Sequence, residues 1–290
     1  MKGYKGFNRG LVCRVKQYKE NTVFEEAEAV ICEKGMHFCV NPFDVLNHYS
    51  LVNSKGEFND FAEVEALDEC YTDDGKKYCT RKLKIGIKLP FGNFINACVD
   101  FILEKTSDDG CSSGDYARIG SSGDYAQIGS SGYGAQIGSS GDGAQIGSSG
   151  NDARIGSSGN DARIGSSGDY ARIGSSGNGA QIGSSGDYAQ IGSSGDYAQI
   201  GSSGNDAQIG SSGNDARIKS EGEDSVVCCA GHGCIVSAKK GSWITLAEWN
   251  YSCEKDRYVP TFVKAEYVDG ERIKADTFYK LENGEFVEVE

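Results

Sequence analysis

A nine-residue unit repeats without interruption through the middle of the chain and limits the folds that the chain can adopt. Written S-S-G-[DN]-x-A-[RQ]-I-G, the unit begins at Ser112 and recurs twelve times, ending at Lys219. Ala fills the sixth place and Ile the eighth in every copy, with only Arg or Gln between them. This alternation is typical of a β-strand with one buried face.

Stacking is needed because one nonapeptide buries only an Ala and an Ile, which cannot offset the cost of ordering nine residues. Units joined by S-S-G-D turns can add backbone hydrogen bonds and apolar contacts to the unit below. We expect the Gly of each turn to take a positive φ. The sequence therefore predicts a mainly β protein with a central β-solenoid. Small Ala beside Ile favours two repeats per coil, as a flattened two-sheet roll, over three.

The nine-residue frame continues past the regular array. Residues 220–237 keep it with larger apolar side chains, as expected of degenerate capping repeats. We therefore divide the chain into an N-terminal α+β cap domain at 1–106, a β-solenoid at 107–237 with regular repeats at 112–219, and a small C-terminal β-hairpin module at 238–290. Fourteen units at two per coil make seven coils, or about 34 Å at ~4.8 Å per strand.

The flanking regions have ordinary globular patterns. Residues 42–49 predict a helix with Asn41 as its N-cap and Pro42 at its first position. Residues 94–103 predict a second helix, which we expect to cover the first coil of the solenoid. Asp-Gly at 269–270 and Asn-Gly at 283–284 predict hairpin turns near the C-terminus.

Three motifs in the N-terminal region carry a family resemblance. They occupy residues 4–8, 35–44 and 61–64. Together they resemble an uncharacterised domain that recurs in phages and in prophages of gut Firmicutes, where Gly-rich short repeats often follow it. The resemblance covers roughly residues 1–100. It implies a phage or prophage origin and no established chemistry.

Composition restricts the partners and the surroundings of the protein. The net charge of −13 disfavours direct binding to nucleic-acid phosphates or to anionic membranes. No apolar run has the length of a membrane span, and the first residues lack the apolar core of a signal peptide. The eleven cysteines lie mostly in apolar, strand-like runs, as is typical of reduced thiols. We expect a cytoplasmic protein of a bacterial host cell.

Metal and cofactor sites are not indicated by the motifs. The calcium-binding nonapeptide needs an Asp that only four of the twelve repeats supply, at Asp152, Asp161, Asp206 and Asp215. The cysteines near His37 and near His232 lack the paired spacing of zinc sites. We therefore expect neither a metal nor a cofactor.

A catalytic alternative rests on the N-terminal motifs, whose order resembles that of ADP-ribosyltransferases. The resemblance implies that Lys5 or His37 binds a dinucleotide, that Tyr49 stacks on its nicotinamide, and that Glu63 or Glu65 polarises the ribose. The sequence departs from the family pattern, because Lys5 stands where the family has Arg or His and a Ser-Thr-Ser element is absent. We therefore assign no catalytic residue and favour binding over catalysis.

The outward positions of the array form the expected binding surface. We expect a non-enzymatic solenoid that presents a rigid polar surface to a protein partner or to a second copy of itself, as a host-defence antagonist or an accessory structural factor. The surface residues are Tyr116, Arg118, Tyr125, Arg154, Arg163, Tyr170, Arg172, Tyr188 and Tyr197. Because Gln replaces Arg in other repeats, Arg163→Gln should leave stability unchanged. An acidic rod could alternatively act as an inhibitor that imitates duplex DNA, although the arginines of the array offset half of its ten aspartates.

Overall fold

The computed structural model describes residues 1–53, 57–106 and 114–289. The N-terminal region contains one antiparallel sheet of seven strands, in the order β4-β9-β6-β1-β5-β8-β7, and the small hairpin β2-β3. Its elements are β1 (Lys2–Phe7), β2 (Val12–Cys13), β3 (Lys16–Gln17), β4 (Thr22–Glu25), β5 (Met36–Cys39), α1 (Pro42–Val45), β6 (Asp60–Ala66), β7 (Cys70–Tyr71), β8 (Lys77–Thr80), β9 (Lys82–Leu89) and α2 (Phe91–Thr106). Asn41 caps α1 as expected, because its Oδ1 accepts from the Phe43 N–H at 3.0 Å.

The repeats form a β-solenoid with two strands per coil, which confirms the predicted architecture. The strands are β10 (Arg118–Ser121), β11 (Gln127–Ser130), β12 (Gln136–Ser139), β13 (Gln145–Ser148), β14 (Arg154–Ser157), β15 (Arg163–Ser166), β16 (Arg172–Ser175), β17 (Gln181–Ser184), β18 (Gln190–Ser193), β19 (Gln199–Ser202), β20 (Gln208–Ser211), β21 (Arg217–Ser220), β22 (Val226–Cys229) and β23 (Ile235–Ser237). Each strand from β10 to β21 pairs in parallel with the strand 18 residues further on, as Arg154 does with Arg172.

Two parallel sheets therefore stand back to back. One contains β10, β12, β14, β16, β18, β20 and β22, and we call it the open sheet. The other contains β11, β13, β15, β17, β19, β21 and β23, and we call it the covered sheet. The C-terminal strands β24 (Trp243–Ser252) and β25 (Arg257–Tyr267) extend the open sheet, and β26 (Tyr279–Glu282) and β27 (Glu285–Glu288) extend the covered sheet. Asn283-Gly284 forms the predicted hairpin turn, whereas Asp269-Gly270 follows β25 without joining two paired strands.

Three residues of each repeat face the interior, not two. Ala162 and Ile164 are 0 % and 1 % exposed, and the first-place Ser166 is also 0 % exposed. The observed strand spans R-I-G-S, so it begins two residues later and ends one residue later than the x-A-R-I-G expected from the sequence.

The turn glycine has a different role from the one predicted. Gly168, a third-place residue, lies outside the left-handed region, which the fifth-place residues occupy instead: Tyr170 has a φ of 58° and Asp161 one of 54°. A Cβ on Gly168 would lie 2.5 Å from the carbonyl carbon of Gly150 in the coil below, and nearer still to its oxygen. The third place is therefore Gly because adjacent coils stack in direct contact there.

The fourth-place Asp or Asn ties one turn to the next in every repeat except the third, where Tyr133 holds this place. The Oδ1 of Asn178 accepts from the backbone N–H of Asp196, 18 residues later, at 2.9 Å. The same bond recurs from Asn160 to Asn178 at 3.0 Å. Asp and Asn serve equally because only an acceptor oxygen is needed, which explains why the two alternate without pattern in the repeat.

Helix α2 lies against the outer face of the covered sheet, across β11, β13, β15 and β17. The helix therefore covers part of the first coil through β11, and it extends along the sheet over the next coils as well. Its other side packs on the N-terminal sheet, where the rings of Phe61 and Phe94 stack with centroids 3.8 Å apart. The N-terminal region and the solenoid thus share a buried apolar cluster that includes Phe43, Ile95 and Val99.

Candidate functional site

The outer face of the open sheet is a shallow trough floored by glycine. A Cβ added at Gly138, Gly156, Gly174, Gly192 or Gly210 would meet no atom within 4 Å. Beside this row runs the row of seventh-place Arg and Gln side chains. Together the two rows line a groove of about 1200 Å³ along the solenoid. The repeat sequence thus builds a long, flat, accessible face on one side of the rod.

The same glycine row on the covered sheet is filled by α2. A Cβ at Gly165 would lie 3.2 Å from Val99 Cγ2, and one at Gly183 would lie 2.8 Å from Ile95 Cγ1. Phe91, Ile95, Val99 and Ile102 follow a spacing of four, four and three residues, which places them on one side of a helix. Phe91 to Ile102 spans about 16 Å at ~1.5 Å per residue, close to the ~14 Å of three strand spacings. The helix therefore lies nearly parallel to the solenoid axis.

Polar side chains of the N-terminal region bind the Arg and Gln row of the covered sheet. Gln145 accepts from Asn41 Nδ2 at 2.9 Å and donates to Asp44 Oδ1 at 3.3 Å. Arg163 donates to Asn47 Oδ1 and lies 3.7 Å from Asp44 Oδ1. Burial raises the pKa of Asp44, and the positive charge of Arg163 opposes that rise. Arg163 is only 9 % exposed, so its predicted place on a free surface is wrong: the N-terminal region covers it.

The Arg and Gln row of the open sheet is exposed in its greater part. Arg118, Arg154 and Arg172 share this row with three glutamines, and Arg154 is the direct strand neighbour of Arg172. The seventh and ninth places of these repeats hold only Arg, Gln and Gly, so the strand positions of the face carry positive charge without carboxylates. This face therefore has the opposite sign to the chain as a whole, whose net charge is −13.

The row becomes apolar toward the C-terminal end of the open sheet. Gln208 is followed by Val226, then Trp243, then Tyr267. Val226 and Trp243 are each 50 % exposed and Tyr267 is 40 % exposed. The rings of Trp243 and Tyr267 are 5.5 Å apart. The face thus changes along its length from cationic to aromatic.

The tyrosines predicted to line the binding surface lie on the two edges of the roll, not on either face. Fifth-place residues of successive repeats alternate between edges, so Tyr116, Tyr170 and Tyr188 share one edge and Tyr125 and Tyr197 the other. The rings of Tyr170 and Tyr188 stack with centroids 4.9 Å apart. The nine predicted residues are therefore divided among two edges, the open face and the covered interface.

The side chains of the catalytic alternative are also divided. Lys5, His37 and Tyr49 line one cavity of the N-terminal region, whereas Glu63 and Glu65 are not among the residues that line it. Glu63 pairs across strands with Tyr4, and Lys5 pairs with Ala62, so Glu63 and Lys5 point to opposite faces of the sheet. The structure thus brings together the three residues implied in dinucleotide binding and separates them from both glutamates.

The part of the chain that the structure describes contains neither a metal-binding cluster nor a membrane-spanning helix. Within residues 1–53, 57–106 and 114–289, no group of three or more His, Cys, Asp or Glu side chains is arranged to hold a metal ion. No helix in these ranges combines the length and the apolar character of a membrane span.

Comparison with known proteins adds one match. Residues 1–97 match the family model described as Domain of unknown function (DUF7666). No curated protein and no solved structure shows significant similarity to the chain. The match covers about a third of the chain and agrees with the expectation of an uncharacterised N-terminal family, and it names no activity.

Proposed function

We propose that this protein is a non-enzymatic scaffold that binds a protein partner along the outer face of the open sheet. The observation that supports the proposal is that two faces built from the same repeat differ in what covers them. Both sheets present the same row of glycines beside a row of Arg and Gln. Helix α2 fills one row, whereas the described residues leave the glycines of the other without a neighbour within 4 Å.

The partner segment is an amphipathic α-helix, since that is what the repeat already binds on its covered side. Its apolar stripe would follow the spacing of Phe91, Ile95, Val99 and Ile102 and lie on the glycine row. Acidic or amide side chains beside the stripe would meet the arginines, as Asp44 and Asn47 meet Arg163 on the covered side. Charge complementarity would orient the helix and speed its association.

The change from cationic to aromatic side chains along the open face would determine the direction in which the partner helix binds. Its acidic part would lie over Arg154 and Arg172, and bulky apolar residues would reach Val226 and Trp243, whose exposed surface is suited to an interface core. Helix α2 already packs on its own solenoid, so the helix would come from a different protein.

The resemblance to phage and prophage domains supports a bacterial partner. A rigid solenoid that captures a helix could antagonise a host defence protein or serve as an accessory structural factor. Both roles place the protein in the cytoplasm of a bacterial host.

A pull-down with the full chain tests the proposal. Gly174→Trp should plug the groove without disturbing the fold, because a Cβ there has no neighbour within 4 Å. Arg172→Glu should reverse the local charge. Both variants should lose a partner that the wild type retains, while their melting temperatures stay unchanged.

Tyr197→Ala, on an edge of the roll and outside the open face, is the matched control and should retain the partner. Equal recovery of the same protein by wild type and by Gly174→Trp would refute binding at the open face. A captured protein without an amphipathic helix would refute the proposed chemistry of the contact.

A further inference from the structure

The N-terminal region contains a cavity of about 650 Å³ that the proposed function does not use. Its walls come from β1, the hairpin β2-β3, β5, the turn after α1 and the start of β8. None of its lining residues belongs to the groove of the open sheet. It is therefore a separate candidate for ligand binding.

The cavity is lined by four cationic side chains and one carboxylate. The cations are Lys5, Arg14, Lys16 and Lys77, and the carboxylate is Glu26. Glu26 forms an ion pair with Lys16. The other three cations form no ion pair with any carboxylate in the described part of the chain. In a protein with a net charge of −13, this concentration of unpaired positive charge is local and unusual.

Lys5 is the most deeply placed of these cations, with 5 % of its surface exposed. Its Nζ donates to the carbonyl oxygen of His37 at 2.8 Å and lies 5.4 Å from the ring centre of Phe7. The pKa of Lys5 is lowered, and burial is the main cause. A buried ammonium group without an anion is costly, because it has lost water and gained no counter-charge. An anion that entered the cavity would supply that charge.

Neutral polar groups complete the wall. Tyr49 donates its hydroxyl hydrogen to Cys13 Sγ at 3.0 Å, which places both groups at the cavity surface near Lys5. Burial, followed by the charges of Lys5 and Lys77, lowers the pKa of His37 to about 4. His37 is therefore neutral at pH 7, and its Nε2 accepts from the Cys32 N–H at 3.0 Å. The positive potential comes from Lys5, Arg14 and Lys77.

We propose that this cavity binds a small molecule that carries a phosphate group. A carboxylate would bring one negative charge to three unpaired cations, whereas a phosphate ester brings about −1.5 to −2 and three acceptor oxygens. Lys5 would hold the anion from the floor, and Arg14 and Lys77 would hold it from the rim. The volume leaves room for an organic group beyond the phosphate.

A calorimetric titration of the full chain with inorganic pyrophosphate, at constant ionic strength, tests the proposal directly. Arg14 is exposed at the tip of the β2-β3 hairpin, so Arg14→Gln should fold normally and bind pyrophosphate about tenfold more weakly. Arg81→Gln is the matched control, because Arg81 is an exposed cation outside the cavity that pairs with Asp68. It should bind pyrophosphate as the wild type does.

The reactivity of Cys13 gives a second measurement of binding that does not depend on calorimetry. The ratio of the alkylation rate with anionic iodoacetate to that with neutral iodoacetamide should be higher at Cys13 than at the exposed Cys253. Pyrophosphate should slow alkylation at Cys13 only. Peptide mapping by mass spectrometry measures both sites in one sample. An absence of pyrophosphate binding, equal affinity in Arg14→Gln, or no protection of Cys13 would each overturn the proposal.

Discussion

Alanine substitutions at three glycines separate the roles that this residue has in the repeat. Gly168 stands in the third place, Gly174 in the ninth place of the open sheet, and Gly183 in the ninth place of the covered sheet. The chemical change is the same at all three, and none of them lies in the left-handed region, so backbone strain does not contribute. The expected differences come only from what each new methyl group would meet.

Gly168→Ala should be severely destabilising. Its Cβ would lie 2.5 Å from the carbonyl carbon of Gly150 and nearer still to the carbonyl oxygen, so restoring an ordinary contact of 3.4 Å would open the coils by at least 0.9 Å at this corner. Three hydrogen bonds cross there: from Asp169 N to Asn151 Oδ1 at 3.0 Å, from Asp152 N to Asp169 O at 2.9 Å, and from Ser167 N to Ser148 O at 2.9 Å. Stretched to nearly 4 Å, they would be lost, at about 1 kcal/mol each.

The total of about 3 kcal/mol predicts a clear loss in thermal unfolding followed by circular dichroism. At roughly 2 °C per kcal/mol for a chain of this size, the melting temperature should fall by about 6 °C. Gly174→Ala, which meets no atom within 4 Å, should be neutral or stabilise by about 0.5 kcal/mol. Equal melting temperatures for Gly168→Ala and Gly174→Ala would refute the stacking argument.

Gly183→Ala should give an intermediate result. Its Cβ would meet Ile95 Cγ1 at 2.8 Å, and a flexible side chain can move where a backbone carbonyl cannot. We expect a cost of about 1–2 kcal/mol. The loss should be accompanied by faster hydrogen exchange in α2, because the change weakens the contact between this helix and the solenoid.

Three further substitutions test other parts of the structure. Arg163→Gln should lower the free energy of unfolding in urea by about 2 kcal/mol, because it leaves a buried carboxylate unpaired. Arg154→Gln on the open face should change that free energy by no more than ~0.5 kcal/mol, and equal losses for the two variants would show that the N-terminal region does not cover Arg163. Asn178→Ala should lower the free energy of unfolding by about 1 kcal/mol, whereas Asn178→Asp should change it very little because Asp keeps the acceptor oxygen. Equal losses for the two variants would show that the bond between successive turns does not depend on that oxygen. His37 has a lowered pKa, so the unfolded chain binds its proton below pH 6.5 and the folded chain only below about 4. Stability should therefore decline as pH falls from 6.5 to 4, and His37→Asn should reduce that decline; an unchanged pH profile would show that His37 is not buried in neutral form.

The sequence was sufficient to predict the solenoid because its constraints are local and repeated. Alternation of Ala and Ile with Arg or Gln defines strands with one buried face, and a small interior favours two strands per coil. The predicted cap at Asn41 was also correct, because an Asn followed by Pro is a local signal. The inward first-place serine, represented by Ser166, was missed because polarity alone suggested a turn.

The placement of the N-terminal region was not predictable from the repeats. Both sheets are built from the same repeat and hold both Arg and Gln in the seventh place, so the repeat does not distinguish Arg163, which is covered, from Arg172, which is exposed. The signal lies in α2 instead. Phe94 and Cys98 face the N-terminal sheet, while Ile95 and Val99 face the solenoid, and a helix that is apolar on both sides must be buried on both sides.

The central claim is that the open face binds a partner helix as the covered face binds α2. A photoreactive benzoylphenylalanine placed at Gly174 in the full chain, and irradiated in a bacterial host, measures this contact directly. We expect a cross-linked partner whose modified peptide lies in an amphipathic helix with apolar residues three to four positions apart and acidic residues beside them. Cross-links that form from the same probe at Tyr197, on an edge of the roll, and not from position 174 would contradict it.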